Sequence, residues 1–323
     1  MTADDVQGYR AVEREPLCAP LRAWRVCTVG PPSFGGLAVL QMLQTLDLRR
    51  GASINAASLD EPAFWHLYAE AGRQAQADRR HWVGDPDQVD VPVATLTSLP
   101  YLRQRAAQID PLRAAPQVRH GSPVPPPVSQ RPLAGADAAA DQTSQIVVVD
   151  AAGRIATTTT TINLNFGSRL RVDGYVLNNA LSNFAPAPER GARSANQMAP
   201  RKRPVTSMAP VIVFDSRGQP LLAGGSAGGG QIVDYVSRAL IEMLWLDRSP
   251  AQALAGGHVT TALAPRIQLE AGTPRAALTG ALRAMGHEVT VEPTLSGAGF
   301  VKRVAGGWIG AADPRRDGVA LGQ

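Results

Sequence analysis

The chain has 323 residues, 44% of them hydrophobic, enough apolar material for a sizeable core and too much for a disordered chain. Its formal charge of +5 comes with only 18% charged residues, and apart from Arg201-Lys202-Arg203 the basic residues are scattered, so neither a phosphate-tracking surface nor a nucleic-acid partner is expected. The only cysteines, Cys18 and Cys27, exclude a multi-cysteine metal cluster and a disulfide-rich scaffold; they either pair across a hairpin around Ala19 to Arg22 or stay as buried thiols.

In chain order, Tyr9 to Val29 reads as short strands turning around Pro20, because Tyr9, Val12, Trp24, Val26 and Thr28 are β-favouring. The Gly-Pro-Pro-Ser-Phe-Gly-Gly stretch (30 to 36) punctuates the chain, and the apolar spacing of Leu37 to Leu46 suits a buried helix. Helical spacing returns over 56 to 80 through Leu59, Phe64, Leu67, Ala71 and Ala75, ends at the turn 84 to 87, and reappears from Leu102 to Ile109.

Residues 111 to 142 change character. Pro123, Pro125, Pro126, Pro127 and Pro132 precede an alanine-rich run, a composition that builds no core and predicts an exposed linker, where a chain can be cut without unfolding its surroundings.

Beyond the linker the period becomes that of strands: Ile146 to Val149 and Ile155 to Ile162, joined by a turn at 150 to 153, with threonine at every position from 157 to 161. A second hairpin follows at Val211 to Phe214, turning at 215 to 218 and returning through Leu221-Leu222. The glycine-rich corner 224 to 230 then opens an apolar helix from about Ile232 to Leu246. A helix at 274 to 285 and short strands at 288 to 291 and 300 to 304 complete a pattern of class α+β, with sheets layered against helices.

The chain contains no H-E-x-x-H, no paired C-x-x-C and no Walker-type glycine loop, so no metal site and no cofactor is expected. Its histidines (66, 81, 120, 258, 287) and serines carry no spacing from which a Ser/His/Asp site can be read. No apolar run of about 18 residues predicts a membrane span, and Met-Thr-Ala-Asp-Asp carries no export signal.

The unusual feature is the junction of the linker with the first hairpin. If the Gln142–Thr143 bond is cut, Thr143 gains an α-amine of pKa about 8 beside its own hydroxyl, so one residue holds both nucleophile and base. The glycine corner, placed at a helix start, offers backbone N–H groups for the oxyanion that such an attack creates. Taken singly, these features also read as an ordinary β-former and an ordinary turn.

A set of stretches spread over nearly the whole chain resembles the gamma-glutamyltranspeptidases, N-terminal nucleophile hydrolases with an αββα sandwich. They are AVEREPL (11 to 17), GPPSFGG (30 to 36), EAGRQAQADRRHWVGDPD (70 to 87), TTTTTINLNFGS (157 to 168), LNN (177 to 179), KRPVTSMAPVIV (202 to 213), GGSAGGG (224 to 230) and GAADPRRDG (310 to 318). The resemblance implies that Thr143 is the processed nucleophile and that the hydroxyl of Thr161 supports it. It also implies that Asn163, Thr206 and Ser207 hold the head of a γ-glutamyl donor, and that Gly228 and Gly229 form the oxyanion hole. The cut would separate 1–142, part of a large subunit, from 143–323, a small catalytic subunit, with both pieces kept together in one interleaved domain.

The implied reaction moves a γ-glutamyl group from a glutathione-like donor to water or to an amino-acid or peptide acceptor. Family members carry Thr-Thr-His at the nucleophile, whereas Ser144 and Gln145 follow Thr143 here. Asn183 stands where the family places an aspartate against the donor's α-ammonium, and Ala180 replaces a second polar partner. Loss of that charge is expected to weaken γ-glutamyl recognition by about 1–3 kcal/mol and opens the way to glutaryl-type donors without an α-amine. The chain starts at a point the family reaches midway through its large subunit, so the sandwich is expected to be incomplete on its N-terminal side. A non-catalytic fragment that needs a partner chain is therefore the remaining alternative. The family works in the periplasm or outside the cell; the chain as given would stay cytoplasmic.

Overall fold

The computed structural model describes residues 3–123, 143–185, 194–262 and 265–322. Residues 124–142, most of the expected linker together with Gln142, lie outside the described residues.

The segment before the linker folds as α1 (Ala3–Gly8), β1 (Leu17–Leu21), β2 (Trp24–Thr28), α2 (Gly35–Arg50), α3 (Pro62–Trp82), α4 (Val93–Leu96) and α5 (Leu99–Ala107). After it come β3 (Thr143–Val149), β4 (Ile155–Thr161), the small hairpin β5 (Arg171–Val172) and β6 (Tyr175–Val176), then β7 (Val211–Phe214) and β8 (Pro220–Ala227). The remainder is α6 (Ile232–Leu244), α7 (Pro250–Ala255), β9 (Val259–Thr260), β10 (Ile267–Glu270), α8 (Thr279–Ala284), β11 (Val289–Glu292), β12 (Gly297–Val304) and β13 (Gly307–Ala312). No described helix is long and apolar enough to cross a membrane.

Six strands form one antiparallel sheet in the order β1-β2-β7-β8-β12-β13. Two of these strands precede the linker and four follow it, so neither segment completes the sheet alone. Alternation along β12 shows what lies on each face. Phe300 is fully buried in the core, and Lys302 reaches α6, donating to Met243 O at 3.2 Å and pairing with Asp247 at 2.6 Å. Gly299 points the other way, where an added Cβ would stand 3.8 Å from Gln145 Cγ. Helices therefore cover one face of the sheet, and the β3-β4 ribbon lies on the other, across β8 and β12.

The core lies on the helix side. Leu37, Leu40, Met42, Leu43 and Leu46 of α2 meet Val236, Leu240 and Ile241 of α6, with Phe64, Trp65 and Tyr68 of α3 behind them. Each such side chain contributes about 1.5–3 kcal/mol on burial, so this layer holds the pre- and post-linker segments together.

Three expectations need correction. Pro20 does not turn the chain: it lies in edge strand β1, where a missing N–H costs no ladder bond, and the reversal falls at Arg22–Ala23. Tyr9 and Val12 are exposed in an irregular lead-in instead of strands. Only Gly228 to Gly230 form the glycine corner, because Gly224 to Ala227 continue strand β8 beneath the ribbon. Cys18 and Cys27 face each other in the β1-β2 register, Cα–Cα 4.1 Å, and form a disulfide.

Candidate active site

Thr143 opens β3, Thr161 closes β4, and the antiparallel register sets them directly opposite. The period of two turns Thr143, Gln145 and Val147 toward the large sheet, while Ser144, Ile146 and Val148 are exposed on the outer face. Thr143 is 4% exposed, and its hydroxyl donates to Thr161 Oγ1 at 3.1 Å. The backbone N–H of Asn163 donates to the same oxygen at 2.8 Å. Asn163 adopts φ 77°, a left-handed conformation that asparagine tolerates better than most residues, and this bends the chain back beside Thr161. Arg316, from the C-terminal segment, donates to Thr143 O at 3.3 Å and to Leu295 O at 2.8 Å. Thr143 is thus held both at its hydroxyl and at its carbonyl.

A second cluster lies past the end of β4. Asn163 Nδ2 donates to Ser182 Oγ at 3.0 Å and to Asn179 O at 3.4 Å. Asn183 ends a short 3-10 turn, and its carbonyl accepts from Asn196 Nδ2 at 2.7 Å. Asn196 Oδ1 accepts in turn from Val205 N at 3.2 Å, so this one side chain ties the Asn183 turn to the segment carrying Thr206 and Ser207. Thr206 Oγ1 accepts from Met208 N at 3.0 Å, and Ser33 Oγ donates to Met208 O at 2.6 Å, which braces the segment from the Gly30 to Gly36 stretch. Ser207 is buried and its hydroxyl donates to Gly229 O at 2.5 Å. The hydrogen bonds of Asn163, Asn183, Thr206 and Ser207 all go to neutral groups among the described residues.

The corner itself demands glycine. Gly228 has φ 132°, and a Cβ added there would lie 2.4 Å from the Tyr235 ring. A 3-10 turn, Gly229–Gln231, then leads into α6, whose first N–H groups lack intrahelical partners and carry the positive end of the helix dipole. Because β3 stacks on β8 and Gly228 directly follows β8, the strand that Thr143 opens and the N–H-bearing corner belong to adjoining layers.

An open cleft of about 1230 Å³ runs along β3, with Thr143, Gln145, Ala227, Gly299, Trp308 and Arg316 in its wall. Asn163, Asn183, Thr206 and Ser207 are not in that wall. Hydrogen bonds link Thr143 to Thr161 and Asn163, and Ser207 to Gly229. Sequence reasoning missed Asn196, Ser182 and Arg316. Arg316 was visible in the GAADPRRDG stretch, but nothing in its spacing gave it a task, and Asn196 lies in a run without period.

The mixed α/β fold is that of a cephalosporin acylase from Bacillus halodurans, with TM-score 0.82 and 21% identity over 98% of this chain and 54% of that one. The Gamma-glutamyltranspeptidase family model matches residues 1–323, and the chain belongs to that family. It is 30% identical to the glutathione hydrolase proenzyme of Bacillus subtilis (strain 168), over 100% of this chain and 55% of the relative. It is 32% identical to the acylase ACY 1 proenzyme of Pseudomonas sp. (strain SE83), over 98% of this chain and 53% of the relative. The chain spans about half the length of the curated relatives it matches.

Proposed function

We propose that this chain is a self-processing amidohydrolase in which Thr143, freed at its amine, carries a γ-glutamyl group as an ester. The single observation behind this reading is the buried Thr143 hydroxyl at a strand mouth, bonded to the Thr161 hydroxyl and sharing a cleft wall with Ala227, the residue before the glycine corner. In maturation, Thr143 Oγ adds to the Gln142 carbonyl carbon and the peptide nitrogen leaves as the Thr143 amine. Water then cleaves the ester, releasing the Gln142 carboxylate. In turnover, the α-amine takes the hydroxyl proton, Oγ adds to the donor amide, and the leaving amine departs with that proton. The N–H groups of Gly228 and Gly229 hold the oxyanion. Water or an amino-acid or peptide amine then accepts the acyl group.

Asn163, Thr206 and Ser207 bind the donor head. Because the Ser207 hydroxyl already donates to Gly229 O, a donor carboxylate that takes this hydrogen bond couples head recognition to the oxyanion corner. The glutathione hydrolase relatives support a glutathione-like donor. A second reading, a glutaryl-type acyl amide, is favoured by the uncharged side chain of Asn183 and by the acylase relatives.

The two pieces, 1–142 and 143–323, stay together as one domain, supported by the strands they contribute to a common sheet. A full αββα sandwich would add a layer over the outer face of the ribbon, where Ile146 and Val148 are about half exposed (51% and 53%). Because the chain spans about half its relatives' length, that layer and any further donor-binding residues come from additional chain or from a partner. A site of action in the periplasm or outside the cell fits the Cys18–Cys27 disulfide.

Mixing the protein with γ-glutamyl and glutaryl anilides tests this reading. A burst of aniline with a matching mass gain on the 143–323 piece is expected, and the preferred anilide decides between the two donors. No burst and no adduct with either compound would reject it for this chain on its own.

A further inference from the structure

We infer that Gln145 is a positioning residue that locks the nucleophile ribbon to strand β8 through one directional chain of hydrogen bonds. The inference rests on the proposed role of Thr143 but concerns a residue to which that role assigns nothing.

Gln145 is two residues beyond Thr143 on the same inward face of β3, directly opposite Thr159. Its Oε1 accepts from the Thr159 hydroxyl at 2.6 Å. Its Nε2 donates to Thr157 Oγ1 at 2.8 Å and to Ile146 O at 3.0 Å. Thr157 Oγ1 then donates to Gly224 O at 3.1 Å, which crosses from the ribbon to the large sheet. The Ile146 carbonyl can only accept, so the amide nitrogen must be on that side, and this fixes the direction of the whole chain. Thr159 gives a hydrogen to Gln145, Gln145 gives one to Thr157, and Thr157 gives one to Gly224.

The seat is cut to fit. An added Cβ on Gly225 would stand 2.4 Å from Gln145 Oε1, so any side chain there would push the amide off Thr159. Gly299 lies under the aliphatic part of the same side chain. Gln145 is therefore clasped by strands β8 and β12 while its head spans β4. Two residues toward the N-terminus, Thr143 has hydroxyl and carbonyl bonds of its own, to Thr161 and Arg316. The Gln145 chain adds a tie to β8 itself, and Gly228 directly follows that strand.

An amide is the group that can donate on one side and accept on the other without changing charge. A carboxylate of the same size reverses the polarity toward Thr157: it takes the Thr157 hydrogen and withdraws it from Gly224. Protonation restores the donor, so Gln145→Glu should gain on wild type as pH falls, whereas Gln145→Leu should not.

The test compares wild type with Gln145→Leu, Gln145→Glu and Gly225→Ala by the rate of chain cleavage, by kcat and KM on the preferred anilide, and by amide hydrogen exchange over 157–161 and 224–225. Gln145→Leu and Gly225→Ala should slow cleavage and lower kcat at least tenfold, leave KM within about threefold, and speed local exchange while the α2–α6 core stays protected. Gln145→Glu should behave like Leu at pH 8, and its rate relative to wild type at the same pH should recover several-fold as pH falls toward its carboxyl pKa. Wild-type cleavage and kcat in Gln145→Leu, or an acid response identical in all variants, would overturn the inference. If wild type itself remains uncut, the role of Thr143 fails, and the exchange data alone decide on Gln145: unchanged local exchange in Gln145→Leu would overturn its positioning role.

Discussion

Thr143 and Thr161 face each other as the last pair of the β3-β4 ribbon, hydroxyl to hydroxyl at 3.1 Å, and the N–H of Asn163 fixes the acceptor oxygen from behind. Two β-branched side chains with restricted χ1 angles hold this contact, so the Thr143 hydroxyl proposed as nucleophile is already oriented without a ligand. Replacing Thr161 with valine keeps the shape and removes the hydroxyl. Cleavage of the chain and turnover should slow about 10- to 100-fold, while stability changes by only about 1 kcal/mol. Mass spectra over a time course, with a thermal melt beside them, check both. Cleavage at the wild-type rate would remove Thr161 from the site.

The glycine corner gives a steric prediction. At φ 132°, with the Tyr235 ring where a Cβ would go, Gly228→Ala must distort either the turn or the start of α6. A destabilisation of about 1–3 kcal/mol is expected, together with loss of cleavage under conditions where the variant is still folded. A folded Gly228→Ala protein that matures normally would show that these N–H groups do not hold the oxyanion.

Asn183 governs the choice of donor in this account. Its carbonyl is held by Asn196, so the turn persists when the side chain changes, and Asn183→Asp introduces a charge without moving the backbone. Preference for the γ-glutamyl over the glutaryl anilide should rise about 5- to 150-fold, the equivalent of about 1–3 kcal/mol for a charge-assisted bond. An unchanged ratio would mean that Asn183 does not face the donor's α-carbon.

The fold carries a pH dependence remote from the site. His66 Nδ1 lies 2.7 Å from His287 Nε2, and His66 Nε2 lies 2.7 Å from Asp110 O, which can only accept. His66 therefore carries a hydrogen on Nε2, directed at the Asp110 carbonyl, and its other nitrogen meets His287. Burial first, then the nearby His66 and Arg73, push His287 from 6.5 down to about 3. Between those values the unfolded chain binds more protons than the folded one. Stability is thus complete above about pH 6.5 and falls as pH drops toward 3, by at most about 1.4 kcal/mol per pH unit for this group. Melts at pH 7.5 and 4.5 should show the fall, and His287→Asn should make it shallower, leaving the share of His81 and His258, which burial also lowers. An equally steep fall in the variant would assign the acid sensitivity elsewhere.

Sequence reasoning reached the hairpins where period and turn agreed. Asp150 with Gly153, and Asp215 with Gly218, close two of them as their composition demands, with the Asp carboxylates bonded to the turn N–H groups. Helix α2 was visible from Leu37 to Leu46 because burial on all sides leaves a mainly apolar run, broken only by the buried Gln41, Gln44 and Thr45. Strand β8 was obscured, since the close approach of the ribbon replaces β-formers with glycine and so erases the pattern. Pro20 misled because an edge strand tolerates what a turn prefers. The candidate nucleophile came from the junction and the resemblance together. Asn196 and Arg316 became visible only in three dimensions, because their partners lie at long range: Asn183 and Val205 for Asn196, Thr143 and Leu295 for Arg316.

The central claim is that Thr143 is a competent nucleophile, and intact-mass spectrometry of the purified wild type beside Thr143→Ala tests it most directly. The account predicts two wild-type pieces corresponding to 1–142 and 143–323 that co-elute on size exclusion, and a single uncut chain for the variant. A wild type that stays whole, or a Thr143→Ala chain cut at the same bond, would contradict it.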